Sequence, residues 1–461
     1  MSVWGQVGEI VEGFIRDVRE LPVSSAARPE VIRREVESRF DFGASTPLGE
    51  LTAQVADLLQ QYAVHVTHPR YFGLFNPSVS EAAIVADTLV ALYNPQLATW
   101  SHSPAASELE RLALRHFAAA LGFDPNTTVA NFTTGGLEAN LSAVVVALSQ
   151  RFPQHASRGT AALNAAPVIY VTTESHHSFV KICKIVGLGT DALCEVPTTT
   201  RFTLDTRALR EQICLDVNAG RCPFLVVGTA GTTGGGVVDP LDELGEVARG
   251  ANMWLHVDAA WGGAAVLVPR LRPALAGIDA ADSITWDAHK WLSVPMGAGM
   301  FFCRHREAVQ RAFDVSTSYM PSIAGAEAVD PYMATLQWSR RAIGLKVFMS
   351  LAERGRQGLA HQIDHQARMG DVLRSRLTRA GWLVVNDTVL PLVCVTHDDI
   401  RSGRRTTSDI VRSLQARGKV WISDVFLGGR ERVLRACITS FRTNEEDLDV
   451  LVDELERART T

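Results

Sequence analysis

Of 45 basic residues only five are lysine: Lys181, Lys184, Lys290, Lys346 and Lys419. A chain that uses arginine for ordinary surface charge makes each primary amine conspicuous, because an amine can act as a nucleophile and a guanidinium cannot. Lys290 stands out by context, lying in SITWDAHKWLSVPMGAG between apolar and aromatic neighbours. Burial there disfavours the ammonium, and a neutral amine can condense with an aldehyde to a Schiff base. A lysine that lays its stem over apolar groups and keeps its head in water fits the same string.

Four further strings carry chemistry, and each also has a plain structural explanation. Asp258 ends the apolar run of MWLHVDAAWGG. A carboxylate so placed calls for a partner: a protonated ring nitrogen, a helix start or an ion pair. Thr133, Thr134, Gly135 and Gly136 precede a strongly apolar helix in NFTTGGLEANLSAVVVAL. Glycines there let backbone amides close on a phosphate, or simply make a capped turn. The string is not GxxxxGK[ST], which argues against a nucleotide. His177, in TESHHSFVK, follows an apolar run, where an imidazole can stack on a flat cofactor or serve packing alone. In GTAGTTGGGVVDP small residues leave room against the backbone, and Thr229 can hydrogen-bond a ring substituent or belong to an ordinary glycine-rich turn. Taken together, the strings read as phosphate cradle, stacking imidazole, small-residue strand end, acid and amine. Acid and amine are 32 residues apart (290 minus 258). Pyridoxal 5'-phosphate asks for all five parts.

The elements that must position these groups follow from periodicity. Apolar runs at 168–173, 224–230, 253–260, 283–287 and 298–303 read as buried strands, several of them separated by helical segments. This predicts an α/β fold with a mostly parallel central sheet and helices on both faces. Ligands then belong beyond the carboxyl ends of the strands, where each candidate group falls. Residues 1–80 read as a helical segment, with GEIVEGFIRDV and LTAQVADLLQQYA repeating apolar residues at three and four. Residues 81–345 form the large cofactor-binding domain and 346–461 a small α+β domain, whose last helix opens at Thr443 with Glu446 as a capping box. Residues 314–335 carry the least pattern, and a loop of that length is usually functional or mobile.

The strings HPRYFG, SPAASELE, TTGGLEAN, HHSFV, GTAGTTGGGVVDPL, WLHVDAAWGG, DAHKWL and QWSRR followed by GLK resemble those of the pyridoxal phosphate-dependent group II amino acid decarboxylases, from about residue 65 to residue 445. The resemblance implies a fold type I enzyme, a homodimer with its active site at the subunit interface. It implies Lys290 as the Schiff-base lysine with His289 beside it, Asp258 on the pyridine nitrogen and Ala260 against the ring. His177 matches the stacking histidine, Thr229 the threonine near the cofactor hydroxyl, and Gly135 and Gly136 the phosphate turn. For the loop tyrosine that returns a proton, Tyr332 is the better match and Tyr319 the second. Asp287 departs from the asparagine of the animal aromatic decarboxylases, and an acid there repels phosphate unless turned away or paired. Leu74, Phe75, Asn76, Ala98 and Trp100 occupy the family's substrate-pocket positions and match poorly.

The resulting expectation is an α-decarboxylase that forms an amine, with an aromatic L-amino acid as first substrate and acidic or aliphatic ones as alternatives. The rivals are an aldehyde synthase, an aminotransferase with Arg442 as carboxylate clamp, and an inactive cofactor-binding homologue. Hydrophobic residues at 46%, charged residues at 21% and a net charge of -5 give a globular chain without the basic field nucleic acid needs. No apolar run reaches a membrane span. An acidic amphipathic N-terminus and seven irregularly spaced cysteines suggest a cytoplasmic protein with reduced thiols and no metal site.

Overall fold

The computed structural model describes residues 2–315 and 330–460. Seven strands form the larger sheet: β1 (Val129–Thr133), β2 (Pro167–Thr172), β3 (Leu193–Val196), β4 (Cys222–Thr229), β5 (Trp254–Asp258), β6 (Ser283–Asp287) and β7 (Gly299–Cys303), in the order β1-β7-β6-β5-β4-β2-β3. β2 to β6 pair parallel, and β7 runs antiparallel to both β1 and β6. Every residue of β2, β5, β6 and β7 is buried. That is why these strands appear in the sequence as continuous apolar runs rather than alternating ones. The five runs locate β2, β4, β5, β6 and β7 to within two residues at each end. β1 and β3 escape the pattern: β1 carries Asn131 and Thr133, and β3 is a four-residue, half-buried edge.

Helices fill the parallel crossovers: Ser178–Ile185 after β2, Thr206–Asn218 after β3 and Leu241–Gly250 after β4. The helix Gly136–Arg151 follows β1 and buries its middle turns against the sheet. The smaller sheet is antiparallel, with β8 (Leu383–Val384), β9 (Leu392–Thr396), β10 (Ser423–Leu427) and β11 (Glu431–Cys437) in the order β10-β11-β9-β8. Gly428 and Gly429, at φ 60° and 63°, make the tight β10–β11 turn, which needs left-handed backbone. One apolar cluster runs through both sheets, joining Val257 and Trp261 to Leu392, Leu427 and Val433.

Two local expectations shift. The last helix, Glu445–Thr460, is capped one residue later than expected. Asp447 N–H donates to Asn444 Oδ1 (3.1 Å) and Asn444 N–H to Asp447 Oδ2 (3.0 Å), while the Thr443 hydroxyl donates to Pro69 O (2.6 Å). The N-terminal region holds three long helices, Val3–Asp17, Pro29–Arg39 and Leu48–Tyr62. The middle one, opened by Pro29, lies between the two segments whose period marks them as helices. None of the three buries a residue, and Trp4, Leu48 and Leu59 are exposed.

Candidate active site

The carboxyl ends of β4, β5 and β6 and the turns after β1 and β2 converge on one cavity. Gly136, His176, Thr229, Asp258, Ala260 and Lys290 line it together. Asp258, the last residue of β5, is 5% exposed. Its Oδ2 accepts from Asn140 Nδ2 (2.8 Å) and its Oδ1 from the Ala260 N–H (3.1 Å). Two donors on one carboxyl fix its orientation. Thr229, at the end of β4, gives its N–H to the buried Asp239 carboxyl (2.8 Å). Burial pushes Asp239 up to about 6, against the pull of its two backbone donors, Leu204 and Thr229.

Lys290 sits in the turn after β6. Its Nζ is 3.1 Å from Asp287 Oδ2 and 5.5 Å from the centroid of the Phe75 ring. Asp287 therefore faces the amine through Oδ2, and among the described residues its Oδ1 has no hydrogen-bond partner. His289 accepts the Ala298 N–H at Nδ1 (3.1 Å), which leaves its Nε2 to carry the proton, 3.7 Å from Asp287 Oδ2. Burial lowers the His289 pKa, with Asp287 opposing. At the start of the helix Gly136–Arg151, a Cβ on Gly136 would fall 2.9 Å from Asp287 Oδ2 and 3.4 Å from Ala260 Cβ. Glycine is thus needed there for close approach. Gly135 occupies the cap position, and Thr134 is fixed by Glu138, which accepts from both its N–H (2.8 Å) and its hydroxyl (2.6 Å).

Two expected site residues do not line this chain's own cavity. His177 is not among the cavity-lining residues; it occupies the N-cap position of the helix Ser178–Ile185. The lining imidazole is His176, whose Nδ1 accepts the Ser178 N–H (3.2 Å). Burial lowers its pKa, Asp258 and Asp287 raise it, and Lys290 and His177 lower it further. His176 thus senses the acid and the amine at once. The one-residue error has a simple origin: in a turn no period tells which of two adjacent histidines faces inward. Tyr332 does not line the cavity either. Its N–H donates to Ala98 O (3.1 Å) and its ring lies 4.9 Å from that of Trp338. Asp330, which accepts from the Trp100 N–H (2.8 Å), pins the segment there. Tyr319 lies outside the described residues.

Of the substrate-pocket positions only Phe75 reaches this cavity, backed by Trp261 at 4.8 Å. Leu74 is half exposed, and Trp100 lines a separate cavity. Arg442, the clamp of the aminotransferase alternative, points elsewhere and donates to Ile15 O (3.3 Å). Sequence reasoning missed Arg435, which is 2% exposed, with its Cζ 4.8 Å from the Phe75 centroid and its Nη2 without a partner. It also missed Asn140 and His256 behind Asp258. The alternation Trp254, His256, Asp258 on β5 was the available signal.

The model of the pyridoxal-dependent decarboxylase conserved domain matches residues 29–397, and the chain belongs to that family. It is 26% identical to tryptophan decarboxylase 2 of Oryza sativa subsp. japonica over 96% of this chain and 90% of that one. It is 27% identical to the aromatic-L-amino-acid decarboxylase of Bacillus atrophaeus over 96% and 92%. An acidic amino acid decarboxylase of Bos taurus is 25% identical over 93% and 84%. Among solved structures, Oryza sativa TDC with PLP and tryptamine superposes with a TM-score of 0.91 at 25% identity, covering 99% of this chain and 97% of that one. The protein is a pyridoxal phosphate-dependent carboxy-lyase of fold type I. The site fits that cofactor: an amine and an acid share one cavity, and Gly136 leaves no room for a side chain.

Proposed function

We propose that this chain removes the α-carboxylate of an aromatic L-amino acid as carbon dioxide and releases the amine. The observation that carries the reading is the single cavity in which Lys290 Nζ, Asp258 and the Phe75 ring meet. Lys290 holds the cofactor. Asp258, held by Asn140 and the Ala260 N–H, faces the ring nitrogen and keeps its proton in place. His176 takes the stacking role that the family resemblance assigned to His177. Gly135 and Gly136 receive the phosphate at a helix start, and Thr229 serves the hydroxyl side. The bound cofactor supplies an electron sink for the pair left behind as carbon dioxide departs. Phe75 and Trp261 exclude water from the leaving carboxylate, which loses more by desolvation than the charge-dispersed transition state does. Lys290 Nζ or Tyr332 returns the proton to Cα.

A homodimer belongs to this reading, because the exposed apolar side chains of the N-terminal helices suit a second copy of the chain. So do the division at 80/81 and 345/346, which the start of the helix Leu345–Arg379 supports, and a cytoplasmic location, in keeping with seven unpaired cysteines. One observation favours a second substrate class: Arg435 is a buried cation without an acidic partner among the described residues, stacked behind Phe75. An acidic amino acid would supply that partner.

Carbon dioxide release and product mass, measured with tryptophan, tyrosine, phenylalanine, glutamate and aspartate, test the proposal. Amine formed from an aromatic substrate is expected. Turnover confined to the two acids and lost in Arg435→Met would move the assignment to the second class. A keto acid, or an aldehyde with peroxide, would overturn decarboxylation itself. Cofactor trapped on Lys290 without any turnover would make the chain an inactive homologue.

A further inference from the structure

Four hydrogen bonds lead away from Asp258 into the protein. Asn140 Nδ2 donates to Asp258 Oδ2 (2.8 Å), and Asn140 Oδ1 meets His256 Nε2 (3.0 Å). His256 Nδ1 meets Ser283 Oγ (2.9 Å), and Trp254 Nε1 donates to Ser283 Oγ (2.9 Å). The two ends fix the direction of everything between. An indole N–H can only donate, and a carboxylate can only accept. With the Asn140 amide nitrogen on Asp258, its oxygen must accept, so His256 carries its proton on Nε2. Nδ1 is then an acceptor, and the Ser283 hydroxyl must donate to it. Thr285 Oγ1, 3.4 Å from the same Nε2, takes at most a weaker share, and Ser178 Oγ stands 3.3 Å from Asn140 Nδ2.

The fold builds this chain deliberately. Trp254, His256 and Asp258 alternate along β5 and therefore share one face. Asn140 comes from the helix Gly136–Arg151, and Ser283 from β6. His256 and Ser283 are fully buried. Burial drives the His256 imidazolium down to about 4, with Asp258 and Ser283 opposing, so the ring is neutral and has one donor and one acceptor to offer. Successive bonds of one polarity strengthen one another in a low-dielectric interior.

We propose that Trp254, Ser283, His256 and Asn140 form a one-way hydrogen-bond relay that orients the Asp258 carboxyl and so sets how firmly this chain grips the cofactor's ring nitrogen. The proposal rests on the role given above to Asp258. Trp254, Ser283 and His256 act through Asn140 and Asp258 and are positioning residues.

A ligand pair isolates the effect. Pyridoxal phosphate is compared with its 1-deaza analogue, which has carbon where the ring nitrogen stands and offers Asp258 nothing to grip. Dissociation constants are measured on the full chain stripped of cofactor, for the parent and for His256→Leu and Ser283→Ala. His256→Leu is expected to bind pyridoxal phosphate about tenfold more weakly while its affinity for the deaza analogue changes less than about twofold. Ser283→Ala should show the same selectivity at about threefold, and it decides the matter if His256→Leu does not fold. An equal loss for both ligands would mark a merely structural role and overturn the relay, as would no loss for either. Failure of borohydride to fix pyridoxal phosphate to Lys290 in the parent chain would instead overturn the proposed function, so the two readings fail separately.

Discussion

Asp287 is the residue at which charge and function meet most directly. Its carboxylate lies against Lys290 and His289, so the amine proposed as the nucleophile has a counter-ion 3.1 Å away. Lys290→Ala is expected to abolish borohydride fixation of the cofactor, seen as loss of the mass increment on its peptide, and to lower kcat by about a thousandfold or more. Asp258→Asn should retain the fold and lower kcat about a hundredfold. Buried histidines also set the acid stability. His256 is depressed from 6.5 to about 4, so the unfolded chain binds a proton that the folded chain refuses. Its contribution is complete above pH 6.5 and is lost as pH falls toward 4, costing about 2 kcal/mol between pH 7 and pH 5. Urea unfolding of the cofactor-free chain at those two pH values should show a flatter acid limb for His256→Leu. Asp239, raised to about 6, works in the opposite sense: its contribution is largest at low pH and is lost as pH rises from about 4 through 6.

The strand ends and helix starts decide which of these residues meet. Five buried strands were legible because each is apolar on both faces. β10 was not, because SDVFL is only partly covered. The proposed cofactor cradle lies at the junction of β1 and the helix Gly136–Arg151. Gly136→Ala places a Cβ 2.9 Å from Asp287 Oδ2, so absorbance titration should show about tenfold weaker cofactor binding with the fold intact. Gly262→Ala differs in kind. Its Cβ would lie 2.3 Å from Ala230 O, a backbone atom with no freedom to swing aside. That variant is expected to lose about 3 kcal/mol of stability in denaturant unfolding.

Across the whole molecule, the two sheets are tied together next to the cavity. Glu174, at the end of β2, accepts the Gly428 N–H of the β10–β11 turn (2.8 Å). Arg435 of β11 donates to Thr233 O (2.9 Å) and Gly73 O (2.7 Å). Glu174→Ala should leave the Gly428 donor without its partner and cost about 1–3 kcal/mol, read as a lower melting temperature. Sedimentation should give twice the chain mass if the exposed apolar residues Trp4, Leu48 and Leu59 meet a second copy. The two-sheet core was legible only as two separate patterns. That Val433 and Leu427 share a cluster with Val257 is a fact of packing and leaves no trace in local periodicity.

The amino-acid sequence by itself determined the cofactor and named the groups proposed to support it. Lys290, Asp258, Thr229 and the Gly135–Gly136 turn are few in kind, and each is anchored to a strand end or helix start that hydrophobic period reveals. Tertiary structure alone decided that His176 rather than His177 lines the cavity, that Tyr332 packs against Trp338, and that Arg435 stands behind Phe75. It alone connected Trp254 to Asp258 through residues from two other elements. Periodicity reports which side of an element is apolar, a short-range property of the chain. Which turn residue points inward, and which distant side chains satisfy a buried polar atom, depend on through-space packing of segments far apart in sequence.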